Sequence, residues 1–253
     1  MPDALARPGG LIDRALNRAI VRFGGPRRVV ATDTPLVSFT FDDVPDSALD
    51  QGAAVLERHG VRGTFYIAGG IAGTVEPARR LISAEGCRAL DARGHEVGCH
   101  TFSHRRLRDI PGRELAADLD RNAAFLAEAG VARPPRNFAF PYNSGWPPAR
   151  AEFRRRYRSC RAGGEGINRG AVDPLMLKGY EIRQPEAEAR LLTRQIDAVA
   201  EEPGWLVFFS HDVSSSPTPY GCTPETLDLL VGHALARGCT VLTVDAAIDR
   251  LGW

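Results

Sequence analysis

Short apolar runs rich in β-branched and aromatic residues alternate along this chain with longer stretches whose apolar positions recur at helical spacing. The runs predict strands at 36–41, 63–67, 95–99, 137–140, 157–160, 180–183, 206–210 and 240–244. The helical patterns fall at 47–59, 76–93, 112–129, 148–156, 186–201, 224–237 and 246–251. Gly60, Gly94, Gly130 and Gly238 stand where helices should end, since a glycine closes a last turn in the left-handed conformation. Alternation of this kind predicts parallel strands joined by crossover helices. The fold class expected is α/β, an irregular (β/α) barrel of seven or eight parallel strands. A doubly wound open sheet is the alternative, but no glycine-rich phosphate-binding turn follows the first strand. Residues 11–23 form an amphipathic stretch that reads as a helix packed on the domain. The expected organisation is an N-terminal helical extension over residues 1–34 and one catalytic domain over 35–253.

A length of 253 residues suits one such domain, and 43% hydrophobic residues suffice for its core. A net charge of +1 argues against a nucleic-acid footprint. Lys178 is the sole lysine, a bias of composition rather than of chemistry. Five dispersed cysteines, Cys87, Cys99, Cys160, Cys222 and Cys239, read as reduced buried thiols rather than a disulfide framework. No stretch reads as an export signal or as a transmembrane segment. The expected location is therefore cytoplasmic.

The chemistry-bearing residues cluster at strand ends. Asp42 and Asp43 end the first strand, His100 the third and His211 the seventh; Pro141, Tyr142 and Asn143 follow the fourth. In a parallel barrel these ends converge on one face. Two histidines four apart, His100 and His104, with one carboxylate make a three-ligand set for a divalent metal that leaves a position open to water. The second carboxylate of the Asp42-Asp43 pair is then free to act as a base. Other histidines read as structural: His59 ends a helix, His95 faces away from His100 by strand alternation, and His233 lies within a helix.

Four motifs in order carry a resemblance: Thr40-Phe41-Asp42-Asp43, His100-Thr101-Phe102-Ser103-His104, Phe138-Ala139-Phe140-Pro141-Tyr142 and Phe208-Phe209-Ser210-His211. With Gly63-Thr64-Phe65-Tyr66 and Gly94-His95-Glu96-Val97-Gly98 between them, the chain from about residue 35 onward resembles the polysaccharide deacetylase family, the NodB-homology carbohydrate esterases of family four. The resemblance implies a metal-dependent hydrolase that removes an N-acetyl or similar acyl group from an amino sugar, a glycan or a glycan precursor. By it, Asp43, His100 and His104 hold the cation (zinc, or iron, cobalt or nickel), Asp42 is the general base and His211 the general acid. The backbone N–H of Tyr142, after the rigid Pro141, would meet the oxyanion. A hydrolase of other C–N bonds, such as those of a cyclic imide or ureide, and a non-catalytic sugar-binding relative are the competing readings.

Three positions depart from the family pattern. Ala139 stands where an arginine usually pairs with the catalytic aspartate, and Arg183, near the end of the sixth strand, is the expected replacement. Val44 and Asn143 stand where glycine is usual, and asparagine tolerates a left-handed backbone. The arginines Arg105, Arg106 and Arg108 and the loop 214–222 are candidate contacts for an anionic substrate.

Overall fold

The strand Leu36–Asp42 is buried along its whole length, which happens when helices cover one face of a parallel sheet and the barrel interior the other. A computed structural model describes residues 11–253 of the chain. In chain order the strands are β1 (Arg28–Val30), β2 (Leu36–Asp42), β3 (Thr64–Ile67), β4 (Glu96–Cys99), β5 (Asn137–Ala139), β6 (Ser159–Arg161), β7 (Gly170–Val172), β8 (Tyr180–Glu181), β9 (Trp205–Ser210) and β10 (Thr240–Val241). The helices are α1 (Leu11–Phe23), α2 (Ala54–Arg58, entered through a π-helical turn at Ala48–Ala53), α3 (Ala84–Ala92), α4 (Gly112–Glu128), α5 (Arg150–Arg156), α6 (Glu186–Arg190), α7 (Thr193–Glu201), α8 (Pro224–Ala236) and α9 (Val244–Arg250).

Eight strands form one curled sheet in the order β6-β5-β4-β3-β2-β9-β8, with β10 also on β2, and every pairing in it is parallel. The edges are stitched together by the segment 177–181. Leu177 exchanges backbone bonds with Cys160 and Ala162, each at 2.9 Å, while Tyr180 and Glu181 pair with Phe208 and Phe209. The expected irregular α/β barrel is what the chain forms.

Strand alternation decides what faces inward. On β2, Val37, Phe39 and Phe41 join the large apolar cluster with Leu56, Leu90, Ile196, Leu227 and Leu230 of the covering helices. Ser38, Thr40 and Asp42 take the other parity and face the interior. The same parity puts Tyr66, Glu96, Asn137, Ser159 and Arg161 inside. Phe138 and Cys160 pack outward in a second cluster with Phe153 and Ile20.

All eight expected strands are present, with ends shifted by at most three residues. The short antiparallel pair β1–β7 was not expected, being three residues a side and largely exposed. The stretch 76–93 is a helix only from Ala84. Residues 73–82 instead form a hairpin, with antiparallel bridges Val75↔Arg80 and Pro45↔Leu81 that bury Leu81. Ser83 caps the true helix start by accepting from the Gly86 N–H at 3.2 Å. The segment 186–201 is broken into α6 and α7. The predicted extension over 1–34 lies in part outside the described residues; its described part contains α1 and β1. Gly60, Gly94, Gly130 and Gly238 all have φ between +72° and +91°, as helix-closing glycines require.

Candidate active site

Among the described residues, every non-glycine residue with positive φ lies in a loop at the C-terminal end of the sheet. They are Asp43, Val44, Thr101, His104, Tyr142 and Asn143, with φ between +50° and +63°. Such strain persists only where surroundings over-determine it, and it clusters at functional sites. Val44 is the most costly, because a β-branched residue fits the left-handed region badly. It holds that geometry while fully buried in the large apolar cluster. The loop between the two histidines is stitched from below by Asp118 of α4, which accepts from the N–H groups of Phe102 (2.9 Å) and Ser103 (3.2 Å).

These turns bring Asp43, His100 and His104 together, their ligand atoms all within 4.8 Å of one another. Asp43 Oδ1 lies 2.8 Å from His104 Nε2 and 3.6 Å from His100 Nε2. A tetrahedral centre with bonds of about 2.0–2.1 Å needs donor separations of roughly 3.3 Å, so the spacing fits a divalent cation. The tautomer fits as well. His100 Nδ1 lies 2.8 Å from the carbonyl of Ala139, which only accepts, so Nδ1 carries the proton and the Nε2 lone pair faces Asp43. Asp43 Oδ1 is buried and faces the Nε2 atoms of both imidazoles. Burial pushes the His100 imidazole down to about 4, keeping it a neutral donor. Burial alone would raise Asp43, but His104, His211 and His100 together hold it well below the ordinary carboxylate value.

Beside this cluster stands Asp42. Its Oδ2 accepts from Arg161 Nη2, while its Oδ1 is buried without a hydrogen-bond partner. Arg161 also donates from Nη1 to Asn143 Oδ1 at 2.8 Å and lies 4.2 Å over the Phe209 ring. The arginine absent at position 139 is therefore supplied by β6, and the register pairs Ala139 directly with Arg161. Arg183, the replacement expected from sequence, does not take that place. It is 44% exposed and its Nε sits 3.6 Å from Glu181, because its strand ends at Glu181 and the side chain falls outside the mouth. Arg79, on the hairpin that the helical pattern concealed, donates to Asp43 Oδ2 at 3.0 Å and to Glu76 at 2.6 Å. It thereby leaves Oδ1 as the open oxygen of Asp43.

His211 follows β9. Its Nδ1 is 3.3 Å from the carbonyl of Tyr220, which assigns the proton to Nδ1 and leaves Nε2 for the cleft. It acts electrostatically on both Asp43 and Glu181. Glu181 is raised mainly by burial. Pro141 opens the turn Pro141–Asn143, and the left-handed Tyr142 lays its ring 5.1 Å from His104 and 4.1 Å from the Arg106 guanidinium. Arg108 turns to Asp13 of α1. Asp173 caps a turn and pairs with Arg150 at 2.6 Å. His95 packs outward against Glu57 at 3.0 Å, as alternation requires; His59 and His233 pair with Asp228 and Asp197.

Comparison with known proteins gives three findings. A family model described as polysaccharide deacetylase matches residues 30–157. A chitin deacetylase of Colletotrichum lindemuthianum is 28% identical over 220 residues, covering 81% of this chain and 80% of that one. Two solved structures share the fold. One is a family 4 acetyl xylan esterase from Clostridium thermocellum in complex with a cobalt ion, at TM-score 0.59 and 22% identity, covering 86% of this chain and 92% of that one. The other is a pseudoenzyme of carbohydrate esterase family 4 from Bacillus anthracis, at TM-score 0.62 and 17% identity, covering 88% and 68%. An esterase and a pseudoenzyme on one fold leave the question of activity to the residues of the site.

Proposed function

The chain belongs to the polysaccharide deacetylase family, and from that premise we propose that it removes an N-acetyl or similar acyl group from an amino sugar or glycan with one divalent cation. Asp43, His100 and His104 would hold the cation. Zinc suits two imidazoles and a carboxylate, and iron, cobalt and nickel accept the same donors. When bound, the cation would polarise the acyl carbonyl and make a water molecule acidic enough to ionise near neutral pH.

The remaining work falls to the chain. Asp42 Oδ1, open and buried, takes a proton from the attacking water, while Arg161 on Oδ2 holds the carboxylate aimed. The N–H of Tyr142, fixed in a left-handed turn, donates to the oxygen on which negative charge develops. The proton that Asp42 takes up passes through the free Nε2 of His211 to the amine nitrogen as the acyl C–N bond breaks, with Nδ1–H anchored on the Tyr220 carbonyl. The observation that carries the reading is the buried cluster of Asp43, His100 and His104, with ligand atoms all within 4.8 Å of one another, beside an Asp42 Oδ1 that is buried without a hydrogen-bond partner. Such an arrangement is costly unless a cation and a reacting proton belong there.

The test is metal content of the purified protein by mass spectrometry, with acetate release from N-acetylated sugars, in wild type and His104→Ala. About one metal per chain, lost in the variant together with acetate release, supports the proposal. Metal without acetate release from any N-acetylated sugar moves the substrate to another C–N bond. No metal after reconstitution overturns the mechanism.

A further inference from the structure

Helix α1 lies outside the span matched by the family model, yet it grips the loops that build the site. Asn17 donates from Nδ2 to the carbonyl of Asn143 at 2.8 Å and accepts from the N–H of Gly145 at 2.9 Å. One amide thus holds both ends of the turn that follows Tyr142. Asp13, only 2% exposed, accepts from the Ser144 hydroxyl at 2.6 Å and pairs with Arg108; its Oδ2 is 3.7 Å from Arg106 Nε. Arg106 in turn stacks on the Tyr142 ring, and that ring on His104. Gly145 lets the backbone come this close, since a Cβ there would lie 2.7 Å from Ile20 and 3.1 Å from Asn17 Oδ1. Asp13 therefore bridges the loop that carries His104 to the turn that carries Tyr142. Both Tyr142 and Asn143 sit in the left-handed region, which needs outside support to persist.

We propose that α1 is a positioning element of the active site, in which Asn17 and Asp13 clamp the turn at 141–145 so that the Tyr142 N–H stays aimed at the oxyanion. The clamp itself is independent of chemistry; its effect on turnover rests on the deacetylase reading. Neither residue touches the reacting atoms.

The experiment uses the full chain as wild type, Asn17→Ala, Asn17→Asp and Asp13→Asn, with Arg18→Ala on the exposed side of the helix as control. Amide hydrogen exchange of a peptide spanning 141–146 is measured with metal content and with kcat and KM for acetate release. Loss of the clamp should speed exchange in that peptide about tenfold or more in Asn17→Ala, local opening being what exchange reports. It should lower kcat about tenfold, with KM and metal content unchanged, because it misplaces a donor without removing a binding contact. Asn17→Asp keeps the acceptor for Gly145 and should fall between wild type and Asn17→Ala, and Arg18→Ala should match wild type. Exchange in Asn17→Ala within twofold of wild type overturns the clamp. An exchange response with unchanged kcat overturns its catalytic role. If wild type binds metal but releases no acetate, the deacetylase reading fails, and the exchange result still decides the clamp.

Discussion

Replacing Arg161 by alanine removes the guanidinium that holds Asp42 Oδ2. The guanidinium is 1% exposed and the carboxylate 4%, so neither is rescued by solvent. At a charge separation of about 3 Å and an effective dielectric of about 20, the pair attracts with about 5 kcal/mol. Breaking a buried pair by deleting one partner costs a comparable 3–5 kcal/mol, roughly, because it strands the other charge. For a chain of this size that should lower the melting temperature by roughly 10 °C. At neutral pH the rate should fall by about 10² or more, the usual worth of a positioned base. The double variant Ala139→Arg/Arg161→Ala should recover part of the activity, since position 139 is the register partner of 161 on the adjacent strand. Steady-state deacetylation from pH 5 to 9 with thermal melts of all three proteins provides the data. An Arg161→Ala enzyme within fivefold of wild type would refute the reasoning, as would Arg183→Ala reproducing the loss.

Tyr142→Phe should keep activity within about threefold in the same assay, because the proposed donor is the backbone N–H and the ring still stacks between His104 and Arg106. Asp118→Ala strips the acceptor from the Phe102 and Ser103 amides beneath the histidine loop. It should weaken metal binding about tenfold in competition with a chelator, as loss of an outer support does. Far from the site, Glu57 is lowered from the ordinary glutamate value to about 2, chiefly by its hydrogen bonds from Arg93. A depressed carboxylate contributes stability that is present above about pH 4.5 and lost as pH falls toward about 2. Urea unfolding should therefore show wild type exceeding Glu57→Gln by about 1–2 kcal/mol at pH 6, after screening of a side chain 28% exposed, and the gap should close by about pH 2.

Much of this architecture is legible in the sequence for physical reasons. The strands announce themselves as short buried runs, and β2, with all seven residues buried, is the clearest. Asp42, Asp43, His100, Tyr142 and His211 could be placed at one end of the barrel because strand ends converge there. Three parts were not legible, each because a contact is made across the fold. Arg79 was lost inside an expected helix: the acidic and basic residues of 76–80 suit an amphipathic pattern, and only the bridge Pro45↔Leu81 shows the hairpin. The grip of α1 on the turn at 143–145 spans more than a hundred residues and leaves no local trace. Arg161 carried a faint signal. It lies between Cys160 and Ala162 and shares the parity of Ser159, which makes it an inward-facing charge at a strand end.

The relocation of that arginine follows from parallel register. In β5 and β6, Asn137 faces Ser159 and Ala139 faces Arg161, so each rung presents two neighbouring side chains to the same interior. The lower rung is closed by a Ser159 hydroxyl donating to Asn137 at 2.8 Å. The upper rung holds one long side chain, Arg161, beneath Asp42, and two guanidinium groups there would repel across a few ångströms in a medium that screens poorly. An arginine on one strand therefore favours a small residue on the other, and Ala139, fully buried, meets that condition. What the site holds is a buried cation on the rung below Asp42, furnished here by β6. A substitution that would read in a linear motif as loss of a catalytic support is, in the barrel, a change of the strand that supplies it.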